Sequence, residues 1–398
     1  MSYGVESTST TRGTLIDYEI HKSPTGVGGV VAHWGERIPD DELKERIGEI
    51  YPGVPLEDHT GFDMIYHQPQ GTSRSEGMAD ELEVGEFIGR QAMAVNGWEA
   101  QDIAGIFVGS GVPVADDPRY KDYSQVLAER LGLNPDVVRH TTYAACASGG
   151  HELLNALQNP DIQGKPVLVM GMEGITYLTE DFDPHYADAL SMRFFSNGAA
   201  ALGLVPGEQM MLLHSGHKVV EDTKGTLTAH MTYQDQMDPN GPVWQESNGV
   251  SKIIYPTPPD GKRITMQGPR TGLYFINNSV NFLSDLQKGF QDKYPTLKPS
   301  FGAAHHPSLT VHEHLGKKLT GEGISIEIPW VVKDGNSSAA TSLIAEIRLL
   351  ESIIVDLCEA ELTWYEIQER TGLSEERARE IEEVIDDVFE RYFERNGY

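Results

Sequence analysis

The chain has 398 residues, of which 39% are hydrophobic and 41 are glycine, a composition that is ordinary for a soluble α/β enzyme of two or three domain-sized units. Its 60 acidic residues against 31 basic ones give a net charge of −29. That charge repels nucleic acid and anionic membranes, because both bind proteins through Lys/Arg patches. No apolar run approaches the ~20 residues that span a bilayer, and the N-terminus lacks the pattern of a secretory signal. We therefore expect a cytoplasmic protein with no nucleic-acid or membrane partner.

Predicted strands and helices alternate along the chain after a polar N-terminal segment, 1–14, that is expected to be a loose tail. Apolar runs predict buried strands, and apolar residues at helical spacing predict helices. In the first half we expect strands within 103–111, 137–145, 165–174 and 194–207 and helices at 123–133 and 148–157; in the second, helices at 270–290, 308–319 and 339–357 and strands at 298–306 and 324–332. This alternation predicts a layered α/β architecture in which helices cover sheets.

Cys146 is the residue whose surroundings most clearly predict chemistry. It lies in the segment Y-A-A-C-A-S-G-G, where a predicted strand meets a predicted helix. The first turn of a helix offers unpaired N–H groups and a positive dipole end, which stabilise a thiolate and bind a developing oxyanion. The small neighbours allow an acyl thioester to approach closely. The pattern therefore predicts a nucleophile. With Cys358 as the one other cysteine, a disulfide framework is not expected.

Three segments, in this order along the chain, resemble those of the thiolase superfamily. They are the nucleophile segment YAACASGGHELLNAL, the histidine segment AAHHPSLTVHEHLGKKL of the ketoacyl synthase III enzymes, and that family's asparagine turn, DGNSSAATSLIAEI. The resemblance runs from about residue 15 to residue 350. It implies a thiolase-like fold of two similar α/β halves, 15–205 and 206–352, and a homodimer. The remaining residues, 353–398, are expected to form an acidic helical extension.

Carried over by position, the resemblance implies a role for each site residue. Cys146 would accept the acyl group, while His305 and Asn336 would hold the thioester carbonyl of the second substrate and stabilise its enolate. Phe275 and His306 would lie next to the substrate. Core packing is the alternative role for Phe275, and His306 is the competing choice for the catalytic histidine. No metal or other cofactor is implied, since the substrates are acyl-CoA or acyl-carrier-protein thioesters.

The histidines of HHPSLTVHEH also allow the hypothesis of a zinc site. On a helix that begins near Ser308, however, His312 and His314 are two positions apart and face different ways, whereas zinc ligands must converge on one point. We therefore expect solvated histidines on the surface of this helix, and no metal.

Three departures from the family pattern leave other functions open. Only Gly372 and Gly397 follow residue 350, so the glycine-rich turn that supplies an oxyanion N–H in the family is missing. The aromatic and arginine residues that hold coenzyme A before a Thr-Gly pair are absent around Thr60–Gly61. Residues 359–398 have no counterpart in the family, and their sequence predicts two helices joined by a short turn, as in a helix-turn-helix. Their 13 acidic side chains against 5 arginines disfavour DNA binding, and we expect an oligomerisation or capping element.

The leading hypothesis is an acyltransferase of the 3-oxoacyl-ACP synthase III type, which would condense an acyl group on Cys146 with a malonyl-type thioester in fatty acid biosynthesis. An alternative is another condensing enzyme such as a hydroxymethylglutaryl-CoA synthase, for which Glu86 is a candidate general acid/base. A degradative thiolase would need Cys358 as a second catalytic cysteine, and elongating ketoacyl synthases have a histidine where this chain has Asn336. The remaining alternatives are a non-catalytic thiolase-fold subunit of a hetero-complex, or an enzyme whose missing turn comes from a separate small chain.

Overall fold

The computed structural model describes residues 5–23, 26–50, 60–69, 74–111, 122–174, 193–210, 212–216, 268–295, 302–324 and 328–350, four short strands between 230 and 265, and the single positions 72, 176, 218, 220, 326, 363, 365, 375 and 379. These residues form one seven-stranded sheet, three two-stranded ladders and helices on both faces of the large sheet. The predicted α/β fold class, with layers of helices over a sheet, is confirmed.

The elements of the described chain follow the predicted alternation closely. The strands are β1 (Glu6–Ser9), β2 (Leu15–Lys22), β3 (Gly28–Trp34), β4 (Glu36–Pro39), β5 (Met64–His67), β6 (Gly105–Ser110), β7 (Val138–Tyr143), β8 (Val167–Glu173), β9 (Gly198–Leu204), β10 (His230–Thr232), β11 (Val243–Ser247), β12 (Val250–Ile254) and β13 (Arg263–Thr265). The helices are α1 (Asp40–Ile50), α2 (Arg74–Asn96), α3 (Tyr123–Leu131), α4 (Ser148–Gln158), α5 (Gly268–Lys293), α6 (Leu309–Gly321) and α7 (Thr341–Leu349). Short 3-10 turns, Ala145–Ala147 and Ser338–Ala340, lead directly into α4 and α7.

The seven-stranded sheet has the strand order β1-β2-β3-β9-β8-β6-β7. Strand β6 lies between β8 and β7 and is parallel to both, whereas every other neighbouring pair is antiparallel. The three parallel strands therefore end at the same edge, where Ser110 pairs with Tyr143 on one side and with Met172 on the other. Ligands of open α/β sheets bind outside the carboxyl ends of parallel strands, so this edge is where a site is expected.

Alternate side chains of the central strands belong to two separate apolar cores, as the period of two in a strand requires. One core packs the sheet against α2 and α3, and it includes Val30, Ala32, Met170 and Ala201. The other core packs the opposite face against α4 and α7, and it includes Val31, Val169, Leu202 and Leu343. Because α4 and α7 cover the same face and contact each other, the turns that precede these two helices meet.

Arg348, near the end of α7, links this helix to the sheet through partly buried ion pairs. Its Nη2 lies 2.5 Å from Glu19 Oε1 on β2 and 2.6 Å from Asp334 Oδ2. Its Nη1 donates a hydrogen bond to the carbonyl oxygen of Val331. The guanidinium therefore fixes α7, and the turn before it, against the sheet.

The prediction of a loose N-terminal tail is wrong for residues 6–9. This segment, ESTS, pairs antiparallel with β2 along its whole length. It lacks the alternation of apolar and polar residues that marks a half-buried strand, and it is largely exposed at the edge of the sheet.

The strands predicted within 298–306 and 324–332 are absent from the described parts of these segments, which are 302–306, 324, 326 and 328–332. The carbonyl oxygens of Ile328 and Pro329 accept hydrogen bonds from side chains instead of a neighbouring strand. Proline also has no N–H to donate to a ladder. The apolar composition of these segments therefore reflects burial and not strand pairing.

The division into halves, 15–205 and 206–352, stays a prediction. The extension 353–398 lies outside the described residues except at four positions, as do Cys358, Gly372 and Gly397. Within it, Arg379 Nη2 lies 2.9 Å from Glu375 Oε1, a pair with helical i,i+4 spacing. Among the helices that the structure describes, none combines the length and apolarity needed to cross a membrane.

Candidate active site

Cys146 lies in a strained turn between β7 and α4, at the carboxyl edge of the parallel strands. The preceding residue, Ala145, has φ 47°, and Ser338 in the turn before α7 has φ 40°. These are the positive-φ residues other than glycine in the described chain, and such strain costs ~1–3 kcal/mol and concentrates at functional sites. Cys146 Sγ lies 3.7 Å from Ser338 Oγ. The two strained turns therefore form a single site.

Ser148 anchors the cysteine turn to the end of β6. Its buried hydroxyl accepts a hydrogen bond from the Ala144 N–H at 2.8 Å and donates one to the Ser110 carbonyl oxygen at 2.8 Å. Both partners are backbone groups, so the turn is fixed independently of any neighbouring side chain.

The glycine pair before the body of α4 lets this helix approach the turn that precedes α7. A Cβ on Gly149 would lie 2.5 Å from the carbonyl oxygen of Ala339, closer than real Cβ contacts. A Cβ on Gly150 would lie 3.4 Å from Ser342 Oγ, an ordinary contact. The close approach of the two turns therefore requires glycine at 149 but not at 150.

We expect Gly149→Ala to lower the free energy of unfolding by about 1–3 kcal/mol, the usual cost of overpacking, and to change the rate at which iodoacetamide alkylates Cys146. Gly150→Ala is the matched control and is expected to be neutral or slightly stabilising, because alanine favours a helix over glycine. Urea unfolding and alkylation rates check both variants. Equal effects of the two substitutions would contradict this account of the packing.

Asn336 is 2% exposed, and its backbone and side chain both hold the turn in place. Its backbone pairs with Phe194 and Ser196. Its side-chain Oδ1 accepts hydrogen bonds from Ser338 N at 2.9 Å and from Thr341 Oγ1 at 3.1 Å. Because the amide oxygen is used within the turn, the Nδ2 group is the donor that this residue can offer to a ligand.

His305 lies in the irregular segment between α5 and α6. Its ring contacts the Phe275 ring edge-on, with centroids 6.4 Å apart. The two rings line a cavity of about 260 Å³ whose wall is mostly apolar: Phe275, Ser279, Phe282, Leu283, Gly302, Ala303, Ala304, His305, Leu315, Ile326 and Ile328. Burial lowers the pKa of His305 to about 4, so the imidazole is neutral at physiological pH, and its buried Nδ1 has no hydrogen-bond partner among the described residues.

The structure brings Cys146 and the Asn336 turn together, but in the described residues it forms no hydrogen bond from His305 to either of them. The role of His305 beside Cys146 therefore stays a prediction. Phe275 and His305 share one cavity wall, which agrees with the expectation that both lie near the substrate but does not test it.

His306 belongs to the packing of its segment. It is fully buried, its ring stacks on that of His312 with centroids 4.7 Å apart, and both rings contact Trp330. His306 Nε2 lies 2.9 Å from the Pro329 carbonyl oxygen, and His312 Nε2 lies 2.6 Å from that of Ile328. His306 Nε2 is therefore used in packing, while the contact of His306 with a substrate stays a prediction.

The prediction of solvated histidines on α6 is wrong for His312, which is 9% exposed, and it agrees with the exposed position of His314. Among the residues that the structure describes, no group of three or more histidine, cysteine or acidic side chains converges as metal ligands do.

The Thr60–Gly61 pair anchors the start of α6. The Thr60 carbonyl oxygen accepts a hydrogen bond from Leu309 N at 2.8 Å, and the Gly61 carbonyl oxygen accepts one from Trp330 Nε1 at 2.9 Å. These contacts explain the pair without a coenzyme ligand.

Burial raises the pKa of the Cys146 thiol, while hydrogen bonds from Ser338 and from the backbone act in the opposite direction. The net direction is upward, which favours the neutral thiol over the thiolate. This differs from the thiolate that the helix terminus alone led us to expect. A group that accepts the thiol proton is therefore needed.

A buried glutamate near Cys146, Glu173, and a second one near Glu173, Glu81, were not predicted from the sequence. Glu173 ends β8 and is 2% exposed; its carboxyl group hydrogen-bonds to the Ser338 hydroxyl and the Gly111 N–H. Glu81 on α2 is 4% exposed and accepts a hydrogen bond from the Tyr123 hydroxyl at 3.4 Å. The available signal for Glu173 was its position directly after the apolar run KPVLVMGM.

Glu86, the glutamate that the sequence suggested as a general acid/base, lies elsewhere on α2 in a partly exposed ion pair. Its Oε1 lies 2.8 Å from Arg90 Nη2, and its Oε2 lies 3.9 Å from Arg130 Nη1. Its partners are thus surface arginines and not the residues around Cys146.

No protein-family model and no curated protein matches this chain, but solved structures do. A crystal structure of 3-oxoacyl-(acyl-carrier-protein) synthase III matches with a TM-score of 0.56 and 14% identity over 80% of this chain and 88% of that one. A fungal type III polyketide synthase matches with a TM-score of 0.56 and 19% identity over 83% and 90%. Germicidin synthase from Streptomyces coelicolor, a type III polyketide synthase, matches with a TM-score of 0.55 and 15% identity over 83% and 91%. This chain therefore has the thiolase-like fold of these enzymes.

Proposed function

On the premise of a thiolase-like fold, we propose that this protein is a condensing acyltransferase whose acyl acceptor is Cys146. The observation that carries the proposal is the strained Cys146 turn, which contacts the Asn336–Ser338 turn at the carboxyl edge of the parallel strands. Strain of this kind persists only where the surrounding structure enforces it. A scaffold subunit would need neither a partly buried thiol in such a turn nor the buried polar groups around it.

The reaction that we propose resembles that of 3-oxoacyl-ACP synthase III. The Cys146 thiolate attacks the carbonyl of an acyl thioester, and the carrier leaves as a thiol. A malonyl-type thioester then loses carbon dioxide, and its enolate oxygen is held by His305 and by Asn336 Nδ2. The enolate carbon attacks the acyl group on Cys146, the C–S bond breaks, and a 3-oxoacyl thioester is released. The neutral imidazole of His305 suits a hydrogen-bond donor at physiological pH.

His305→Ala is expected to lower the rate of condensation by about 10²–10³, the usual cost of removing one donor from an oxyanion site, while acyl loading of Cys146 continues. His314→Ala, on the exposed face of α6, is the matched control and is expected to keep the wild-type rate. The measurement is release of labelled carbon dioxide from a malonyl thioester, alongside intact mass for the acyl-enzyme. Equal rates for His305→Ala and wild type would remove His305 from the proposed mechanism.

A second candidate function is favoured by Glu173. A hydroxymethylglutaryl-CoA synthase-like enzyme condenses an acyl-cysteine with a 3-oxoacyl thioester without decarboxylation, and it needs a carboxyl group as acid/base. Glu173 is a buried carboxyl group linked to Cys146 through Ser338. Offering labelled acetyl-CoA with either malonyl-CoA or acetoacetyl-CoA discriminates the two functions, because each consumes only one of these acceptors.

We further propose that the protein is a cytoplasmic homodimer that takes acyl-CoA or acyl-carrier-protein thioesters, in fatty acid biosynthesis or a related condensation. The net charge of −29 disfavours an acidic carrier protein unless a local basic patch exists. Comparing turnover of the same acyl group on coenzyme A and on a carrier protein, at low and high salt, tests this part of the proposal.

A further inference from the structure

The carboxyl group of Glu173 occupies the space that a side chain at Gly111 would fill. Glu173 Oε2 lies 1.6 Å from the position of a Cβ on Gly111, and Ser338 Oγ lies 3.1 Å from the same position. The Glu173 carboxyl group and the Ser338 hydroxyl therefore border the same point beside Gly111, the hydroxyl is close enough to lower the pKa of Glu173, and Ser338 Oγ lies 3.7 Å from Cys146 Sγ. The absence of a side chain at Gly111 thus allows a continuous line of polar atoms from the Glu173 carboxyl group to the thiol.

This carboxyl group is not neutralised by a cation among the described residues. Two titratable groups face it: Cys146, and Glu81 on α2. Glu81 accepts a hydrogen bond from Tyr123 on α3. It is also close enough to raise the pKa of Tyr143, at the end of β7. Glu173 Oε2 is buried and has no hydrogen-bond partner there. Burial, and then the charges of Glu81 and Cys146, raise the pKa of Glu173, and burial raises that of Glu81 to about 8.

We propose that Glu173 exchanges a proton with Cys146 through the Ser338 hydroxyl. The proposal rests on the acyl-transfer role of Cys146. During loading, the thiol proton passes to Ser338 Oγ as the Ser338 proton passes to the Glu173 carboxylate, and the thiolate forms its bond to the acyl carbon. The departing carrier thiolate takes a proton from water. During condensation, the acyl C–S bond breaks, and the Glu173 proton returns through Ser338 to the Cys146 sulfur.

Proton exchange of this kind makes Cys146 and Glu173 titrate as a pair. After the first proton has left the pair, the second is shared between the carboxyl group and the thiol. Complete formation of the thiolate then needs a second ionisation, which the nearby carboxylate opposes. With a neutral side chain at position 173, the Cys146 thiol ionises alone, and no charge at position 173 opposes it.

The test is the pH dependence of Cys146 alkylation by iodoacetamide, measured by intact mass from about pH 5 to about pH 10. We expect the half-maximal rate of Glu173→Gln at a pH lower than that of wild type by about one unit or more, the size of shift that a like charge at short range produces. Ser338→Ala keeps the charge of Glu173 but removes the hydroxyl that donates to sulfur, so its half-maximal pH is expected at or above that of wild type.

Glu152→Gln is the matched control, because Glu152 is a fully buried carboxylate whose partner is His140 on β7. It is expected to keep the wild-type profile. A Glu173→Gln profile that coincides with that of wild type, or lies at higher pH, would overturn the proposal, as would an equal shift in Glu152→Gln. Iodoacetamide reports the thiolate without any acyl donor, so a failure of the proposed condensation reaction would leave this result unchanged.

Discussion

Replacing Cys146 with alanine is expected to abolish the acyl-enzyme and to lower the rate of condensation by at least about a thousandfold. Removal of a nucleophile eliminates the covalent route, and only the weak catalysis from the remaining donors and from substrate binding persists. The strained turn is held by the Ser148 hydroxyl, which accepts a hydrogen bond from the Ala144 N–H and donates one to the Ser110 carbonyl oxygen. The alanine variant is therefore expected to fold with the wild-type stability. The measurement is turnover of the preferred acyl thioester with its acceptor.

Cys358→Ala is the matched control for this substitution. Cys358 is the one other cysteine of the chain, and the proposed mechanism gives it no role. Its alanine variant is expected to keep the wild-type rate. Loss of activity in Cys358→Ala with activity retained in Cys146→Ala would favour a different nucleophile and would contradict the site described above.

Replacing Arg348 with methionine is expected to lower the free energy of unfolding by about 3 kcal/mol, at the lower end of the range for breaking a buried ion pair. The substitution leaves the carboxylates of Glu19 and Asp334 without their cation. The Arg348 side chain is 11% exposed, against 20% for Glu19 and 22% for Asp334, so solvent replaces the lost partner poorly. Urea unfolding of the two proteins at neutral pH measures the difference.

Arg90→Met is the control for Arg348→Met, because the Arg90 side chain is 51% exposed in its pair with Glu86. Its expected cost is below about 1 kcal/mol.

The pH dependence of the free energy of unfolding provides a second check on the role of Arg348. Burial raises the pKa of Glu19, but hydrogen bonds from His21 and Arg348 and the charge of Arg348 lower it to about 2. A carboxyl group whose pKa is lower in the folded than in the unfolded protein stabilises the fold at any pH above the unfolded pKa. The difference in the free energy of unfolding between wild type and Arg348→Met is therefore expected to shrink as the pH falls from about 4.5 towards 2.

The sheet of the first half was predictable because its strands carry a strong local signal. Runs such as IAGIFVGSG and KPVLVMGMEG are apolar on both faces, as strands covered by helices on both sides must be. Strand β1, by contrast, is short and polar, and its pairing with β2 depends on a neighbour rather than on its own residues. The described residues of the apolar segment 324–332 gave the opposite error, since burial without strand pairing produces the same composition as a strand.

The nucleophile turn was predictable from local chemistry, but its proton-handling groups were not. Small residues around Cys146 indicate that another group approaches the cysteine closely, whichever group that is. Glu173 and Glu81 are acidic residues in an acidic chain, and only the meeting of β8, α2 and the Ser338 turn distinguishes them from solvated ones. The contacts of His306 were equally unpredictable, because its Nε2 is hydrogen-bonded to a carbonyl oxygen 23 residues further along the chain, that of Pro329.

Intact-mass spectrometry of the wild-type protein, after incubation with a panel of acyl-CoA and acyl-carrier thioesters, tests the central claim most directly. We expect a single added acyl group from at least one donor, located on Cys146 by peptide mapping and removed when a malonyl or 3-oxoacyl acceptor is supplied. A protein whose Cys146 is alkylated by iodoacetamide but takes no acyl group from any donor would contradict the proposal that this chain is a condensing acyltransferase.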